Sequence, residues 1–330
     1  MAIKVGNAAA FLAGVLAATA MPVSLAGDLS TITAAAEVPT TPFLGGFIKE
    51  TRVIYPLRIG DWEAQDEHLY DDQYLGASVR YAHVSEKDRW IDLYFYPAGV
   101  LPESRLMQDV DSTLEGIRSS TGKQGSYSEV DIAPVDALSF VVGSGKSKQE
   151  VAAGSTSLRL VREGKAYSSS MVMVIKDLYY IKGRYSAEES ALSQRDVKKQ
   201  LEKLMREVVR SATVRSSGDC WMAPPIIARP APLATDSPGR LATISHDGTI
   251  HAVAYQDRVE ALDVASPQAI LLQATVMGMT QRLLPGCVAP ENMNPSVPEG
   301  MRELRLEFRA APVERSSPSV PLRPSRAGVT

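Results

Sequence analysis

Between positions 89 and 96 apolar side chains alternate with polar ones: Ile91, Leu93 and Phe95 point one way, Asp92, Tyr94 and Tyr96 the other. That two-residue period is the mark of a strand with unlike faces. Gly76 to Val84 has a similar pattern, and Ser85-Glu86-Lys87-Asp88 between the two runs predicts a hairpin. Upstream, residues 52–57 and 61–65 flank Arg58-Ile59-Gly60 and predict two short strands or one bent strand. Pro56, which has no N–H to donate, places the first of them at a sheet edge. After Pro97 the period lengthens. Pro102-Glu103-Ser104 opens a helix in which Leu106, Met107, Val110, Leu114 and Ile117 share a face, with Asp109, Ser112 and Glu115 opposite.

A long polar region follows, strand-like from Ala137 to Val142, and then a meander is expected: Ser157 to Val161, Lys165 to Lys176 and Leu178 to Tyr185, turning at Glu163-Gly164 and Lys176-Asp177. Asp196 to Arg210 is an amphipathic helix with Val197, Leu201, Leu204, Met205, Val208 and Val209 on its apolar face. Five prolines between Ser216 and Gly239 read as a linker. Beyond it, Leu241 to His246 and Thr249 to Tyr255 are joined by Asp247-Gly248, the strongest short hairpin signal in the chain. Pro267 to Leu284 predicts a helix, and Met301 to Ala310 a strand. The apolar part of that helix, Ala269 to Met279, is broken by Gln273, Thr275 and Gly278, and reads as a buried helix rather than a membrane span.

These elements order the chain as follows: an export signal at 1–26, a flexible leader at 27–47, an α+β domain at 48–215, a Pro-rich linker at 216–239, a smaller α+β unit at 240–310, and a disordered tail at 311–330. The export signal has its three parts: Lys4, an apolar run from Ala8 to Ala20, and the small-x-small site Ser24-Leu25-Ala26. Cleavage after Ala26 is preferred to cleavage after Ala20, because Pro22 would sit just behind the earlier cut. No cysteine follows either site, so the lipidated-cysteine pattern is absent and a soluble periplasmic or secreted product is expected, with no transmembrane segment.

Composition narrows the partners. The 330 residues carry a net charge of −3, and loss of residues 1–26 leaves 34 basic against 38 acidic side chains, a balance that does not favour nucleic acid. The two cysteines, Cys220 and Cys287, form an even pair that an oxidising compartment would join as a disulfide. Two reduced buried thiols are the alternative.

Four groups of residues resemble chemical machinery. Asp109-Val110-Asp111-Ser112-Thr113 matches the DxDxT signature of haloacid-dehalogenase-type phosphatases, but that chemistry needs both carboxylates at the end of a buried strand, and here a helical period runs through the motif. Gly143-Ser144-Gly145-Lys146-Ser147 imitates the end of a phosphate-binding loop, with Phe140 where the pattern requires glycine. His246 and His251 would share a sheet face if the two-residue turn pairs 246 with 249 and 244 with 251, an arrangement open to a metal; no carboxylate spacing completes the shell. Tyr81, Tyr94, Tyr96, Tyr179, Tyr180 and Tyr185, with Arg80, Arg89 and Arg184, form either a ligand-binding face or packing beneath helices.

Tyr55-Pro56 leading to Gly60-Asp61-Trp62, the strand from Arg89 to Tyr96 with Pro97-Ala98-Gly99 before a helix, and the closing strand from Leu178 to Tyr185 followed by a helix resemble the PsbP-like group of exported proteins, which includes DcrB-type members. The resemblance covers about residues 48–215 and implies an antiparallel sheet packed between helices, an α/β/α sandwich, with a role in binding or assembly at an extracytoplasmic membrane face. It carries over no catalytic residue. The sequence therefore predicts a non-enzymatic accessory protein of the bacterial envelope that binds a protein or envelope component, with no cofactor and no metal; an exported phosphatase using Asp109 and Asp111, or metal capture by His246 and His251, are the alternatives.

Overall fold

The computed structural model describes residue 44 and residues 47–309, apart from 87, 103, 123–125, 144, 146–147 and 234–237. The expected export signal, nearly all of the leader and the C-terminal tail lie outside the described residues. Along the chain run β1 (Ile48–Pro56), β2 (Arg58–Ile59), β3 (Trp62–Leu69), β4 (Ala77–His83), β5 (Trp90–Pro97), α1 (Arg105–Ser119), β6 (Glu129–Ile132), β7 (Asp136–Val142), β8 (Gln149–Arg162), β9 (Lys165–Lys176), β10 (Tyr179–Glu188), α2 (Gln194–Ser211) and β11 (Thr213–Gly218). Then come β12 (Ile226–Ala228), β13 (Arg240–His246), β14 (Thr249–Tyr255), β15 (Val259–Ala261), α3 (Pro267–Thr280) and β16 (Met301–Glu307).

Nine strands make one antiparallel sheet in the order β2-β3-β4-β5-β10-β9-β8-β6, with β7 sharing the β6 side of β8. Its two faces follow the alternation of the sequence. Ile91, Leu93 and Phe95 of β5, Tyr179 and Ile181 of β10 and Val172 and Val174 of β9 face one way, into the larger core. Leu158 and Leu160 of β8, Met171 and Met173 of β9 and Tyr180 of β10 face the other way, beneath α1. The α1 side chains buried there are Leu106, Val110, Leu114 and Ile117.

On the larger core sits α2, whose buried residues are the six that the helical period selects. Ser193 begins it, its Oγ accepting from the Asp196 N–H at 3.2 Å, which satisfies one of the donors a helix start leaves open. At the other end Lys176 Nζ donates to the carbonyls of Val209 and Ala212, each at 2.9 Å. Close approach of the helix to the sheet needs Gly183: a Cβ there would lie 2.5 Å from Met205 Sδ. Beside α2 the core is closed by a second sheet rather than by helix alone, a three-stranded one in the order β11-β1-β16. Tyr55 of β1 meets Tyr81 and Phe95 with ring centroids 6.4 and 6.5 Å apart. The α+β class thus stands in its coarse form, mostly antiparallel sheet with few helices.

Three expectations change here. Pro56 does not make β1 an edge strand: β1 is hydrogen-bonded on both sides, and Pro56 sits at its last position, past the end of the β11 pairing at Ile54. The terminal strand β16 belongs with β1, Leu304, Leu306 and Phe308 adding to the larger core, so the final strand is not part of the small C-terminal unit. The Pro-rich stretch holds β12, which pairs in parallel with β15, and buries Leu233.

What remains of the C-terminal unit is a four-stranded sheet, β12-β15-β14-β13, with α3 packed on it through Ala269, Leu272 and Val276. The Asp247-Gly248 turn joins β13 and β14 as expected, both residues having positive φ (49° and 73°). α3 is not buried all round: Ile270, Leu271 and Met279 are more than half exposed, because four short strands cover one side of the helix only. Cys220 and Cys287 bracket this unit and meet with their sulfurs at bonding distance, the Cα atoms 6.4 Å apart.

A strap across the outer side of β1 fixes the return of the chain. Arg52 is 3 % exposed, donates to the Met293 carbonyl at 2.5 Å and forms an ion pair with Glu303 of β16. The guanidinium holds the Glu303 carboxyl below the usual carboxylate range. Replacing one member of such a pair strands the other. Arg52→Met is expected to lower stability by about 3 kcal/mol, measured by denaturant unfolding near neutral pH, with a smaller loss at low pH, where Glu303 is protonated and its pairing with Arg52 is already gone.

Candidate functional site

Neither helix covers the α1-side face of β4, β5 and β10. Strand parity selects its residues. Even positions of β5 (Trp90, Asp92, Tyr94, Tyr96) lie beside even positions of β10, with Tyr96 opposite Tyr180, Tyr94 opposite Lys182 and Asp92 opposite Arg184. On the other side of β5, Ser78 is opposite Tyr94 and Arg80 opposite Asp92.

Along this face the charges are unequally satisfied. Arg80 grips Asp92 with two hydrogen bonds, Nε at 2.7 Å and a terminal nitrogen at 3.2 Å, while its guanidinium stacks 5.1 Å from the Trp90 ring. Arg184 donates to the Tyr127 hydroxyl at 2.9 Å. Lys182 makes no hydrogen bond or ion pair with the described residues. Its ammonium lies 4.7 Å from the centre of the Tyr94 ring and 5.2 Å from that of Tyr96, where the negative ring faces attract it. Burial, with the nearby Arg184 charge adding to it, pushes the Lys182 ammonium down to about 8. Tyr94 moves the opposite way: burial and the neighbouring Asp92 keep its hydroxyl protonated well above the usual phenol range.

At the α1 end of the face Tyr96 and Tyr180 stack with centroids 4.9 Å apart, and the Tyr180 hydroxyl donates to Asp109 at 2.5 Å. The nine tyrosines and arginines singled out by sequence therefore split. Tyr94, Tyr96 and Tyr180 with Arg80 and Arg184 share this face, Tyr81, Tyr179 and Tyr185 are buried in the larger core, and Arg89 pairs with Glu86 in the β4–β5 turn at 2.6 Å. Lys182, Trp90 and Tyr127 were not foreseen. The parity of β10 against β5 carried the signal for Lys182, since 182 falls in step with 180 and 184.

The other candidates separate. Asp109 lies on α1, not at a strand end, with its carboxylate held by Arg105 at 2.9 Å and by Tyr180; Asp111 is exposed two residues on, turned to another side of the helix. Two carboxylates so placed do not converge on one phosphate or one magnesium ion, and the phosphatase alternative is corrected on that ground. His246 and His251 do approach, ring centroids 6.4 Å apart, although a bulge pairs Ile244 with Ala252 instead of His251. His246 has Asp247 at 3.2 Å, but no group of three metal-donating side chains occurs among the described residues. Of the stretch that imitates a phosphate-binding loop, Gly143 and Gly145 follow β7 with positive φ, and Ser144, Lys146 and Ser147 lie outside the described residues.

No family model matches the chain, and no curated protein matches it in sequence. Among solved structures it is similar to LpqN, involved in cell envelope biogenesis of Mycobacterium tuberculosis, at 9 % identity and a TM-score of 0.29, over 49 % of this chain and 83 % of that one. It is also similar to PsbP (CyanoP) from Synechocystis sp. PCC 6803, at 9 % identity and a TM-score of 0.30, over 48 % and 91 %. The likeness to PsbP is weak, and both likenesses stop at about half of the chain.

Proposed function

We propose that this is an exported, non-enzymatic accessory protein of the bacterial cell envelope, soluble in the periplasm or outside the cell, which binds a partner through the uncovered face of β4, β5 and β10. The observation that carries this reading is Lys182: a half-buried cation beside two tyrosines, with no anion among the described residues to balance it. A side chain kept in that state costs stability, and such costs persist where binding needs them. The aromatic surroundings fit the same role, because tyrosine and tryptophan supply contact area at small entropic cost. Export is supported by the pattern of residues 1–26 and by the meeting of Cys220 with Cys287, which an oxidising compartment keeps joined. No helix among the described residues is long and apolar enough to cross a membrane.

The cost at Lys182 is measurable. Met keeps the apolar stem and removes the charge, so Lys182→Met is expected to raise the melting temperature at pH 7. The folded ammonium titrates near 8 and the unfolded one near 10.5, so between those values the unfolded chain binds more protons and the parent gains stability relative to the variant. The advantage of the variant should shrink across that window, followed as the difference between the two melting temperatures.

Expression of the full chain in a bacterial host is expected to yield a protein in the periplasm or medium that begins at Gly27 and has no free thiol. Cross-linking in the envelope of the native cell should capture a partner that Trp90→Ala releases. A cytoplasmic, unprocessed chain with two free thiols would refute export, and capture that is indifferent to Trp90→Ala and Lys182→Met alike would refute binding through this face.

A further inference from the structure

We propose that Lys182 and Arg184 form a binding site for a phosphate-type oxyanion of the ligand. This rests on the reading above, that the face of β4, β5 and β10 is the binding surface, and names the chemistry that the surface recognises.

The neighbouring charges are already held. Arg80 is taken by Asp92 in a two-bonded pair, and Asp109 is taken by Arg105 and Tyr180. That leaves two positive side chains without a carboxylate among the described residues, Lys182 and Arg184, on the same side of β10. Alternate residues of a strand stand about 6.6 Å apart, and long side chains can converge from that spacing on one small ion. The two heads are not free to seek solvent. Tyr94 and Tyr96 hold the ammonium over their rings, and Tyr127 holds one nitrogen of the guanidinium, leaving its other N–H donors in their fixed fork. Like charges two residues apart repel, and Arg184 contributes to the lowered proton affinity of Lys182. A bound anion removes that repulsion and supplies the missing acceptors.

Charge and size then narrow the ligand. Two unpaired unit charges match a doubly charged oxyanion, and Arg is suited to the geometry of phosphate oxygens. Lys182, Arg184 and Tyr94 are each half-buried, whereas Trp90 and Arg80 next to them are exposed. A protruding phosphate group reaches the ammonium; a flat anionic surface does not. Nucleic acid is disfavoured by the small number of free cations here and by the net charge of −3.

The test uses the folded chain labelled with 15N and sulfate as the probe, an ion whose charge is constant between pH 5 and 9. Saturable amide shifts are expected to centre on residues 92–96 and 180–184, with Lys182→Met and Arg184→Met each weakening binding at least about tenfold, a factor worth 1.4 kcal/mol. Lys199→Met, at an exposed lysine of α2 on the opposite side of the sheet, should change it less than twofold, and unchanged melting temperatures or higher ones exclude misfolding in the variants. Shifts that fail to saturate, that scatter over exposed lysines, or that survive Lys182→Met would overturn the site. Vesicles of phosphatidylglycerol are the second arm: Lys182-dependent vesicle binding without sulfate binding would overturn the assignment to a small protruding oxyanion. A flat sulfate titration together with partner capture that Trp90→Ala still abolishes would sink the oxyanion inference and leave the binding face standing.

Discussion

The pairing of β1 on both of its edges is the constraint on which the rest of the structure depends. Its partners come from far along the chain: Thr51 meets Ser216 across 165 residues, and Arg52 meets Glu303 across 251. Only with both in place is there a second sheet to cover Tyr81, Phe95 and Leu93 on the large one. The hydrophobic gain from that closure is spread over Val53, Tyr55, Val214, Leu304 and Leu306, each contributing about 1.5–3 kcal/mol when fully withdrawn from water. Arg52 is the polar counterpart. Buried under the Met293–Pro295 strap, it ties the outer side of β1 to the segment that precedes β16.

How much of this was legible follows from how local each signal is. α2 was readable down to its six buried residues, since the helical period is carried within the element itself. The Asp247-Gly248 turn was readable because two successive positive φ angles need such residues. The place of β1 was not, because nothing in residues 48–56 names a partner 250 positions later, and Pro56 pointed to an edge. The first half of β8 was missed for another reason. Around Gly154 and Ser155 both faces are covered, α1 reaching Gly154 through Val110 and α2 reaching Ser155 through Glu202, so the alternation of a half-exposed strand is absent.

The candidate face was legible in part. Sequence supplied the aromatic and arginine residues as a set, and the register of β5 against β10 divided that set between a buried core and an open surface. What sequence could not supply is the state of a charge. Arg80 and Lys182 look alike as letters, yet one is held by a carboxylate two bonds deep and the other rests on aromatic rings. Asp109 shows the converse: within a run that spells a catalytic signature it serves as the acceptor for a tyrosine of the sheet below.

The late return of β16 has a consequence for the order in which the molecule can close. Until residues 301–307 arrive, β1 presents a bare edge, Glu303 is missing from Arg52, and the Met293–Pro295 strap has no fixed end to cross toward. A growing chain therefore carries β1 unfinished until its partner 251 residues on has been made, and contacts of such long sequence separation form slowly even once both ends exist. Under the export proposed above, that delay is an asset: the fold locks only after β16 has come through the narrow pore.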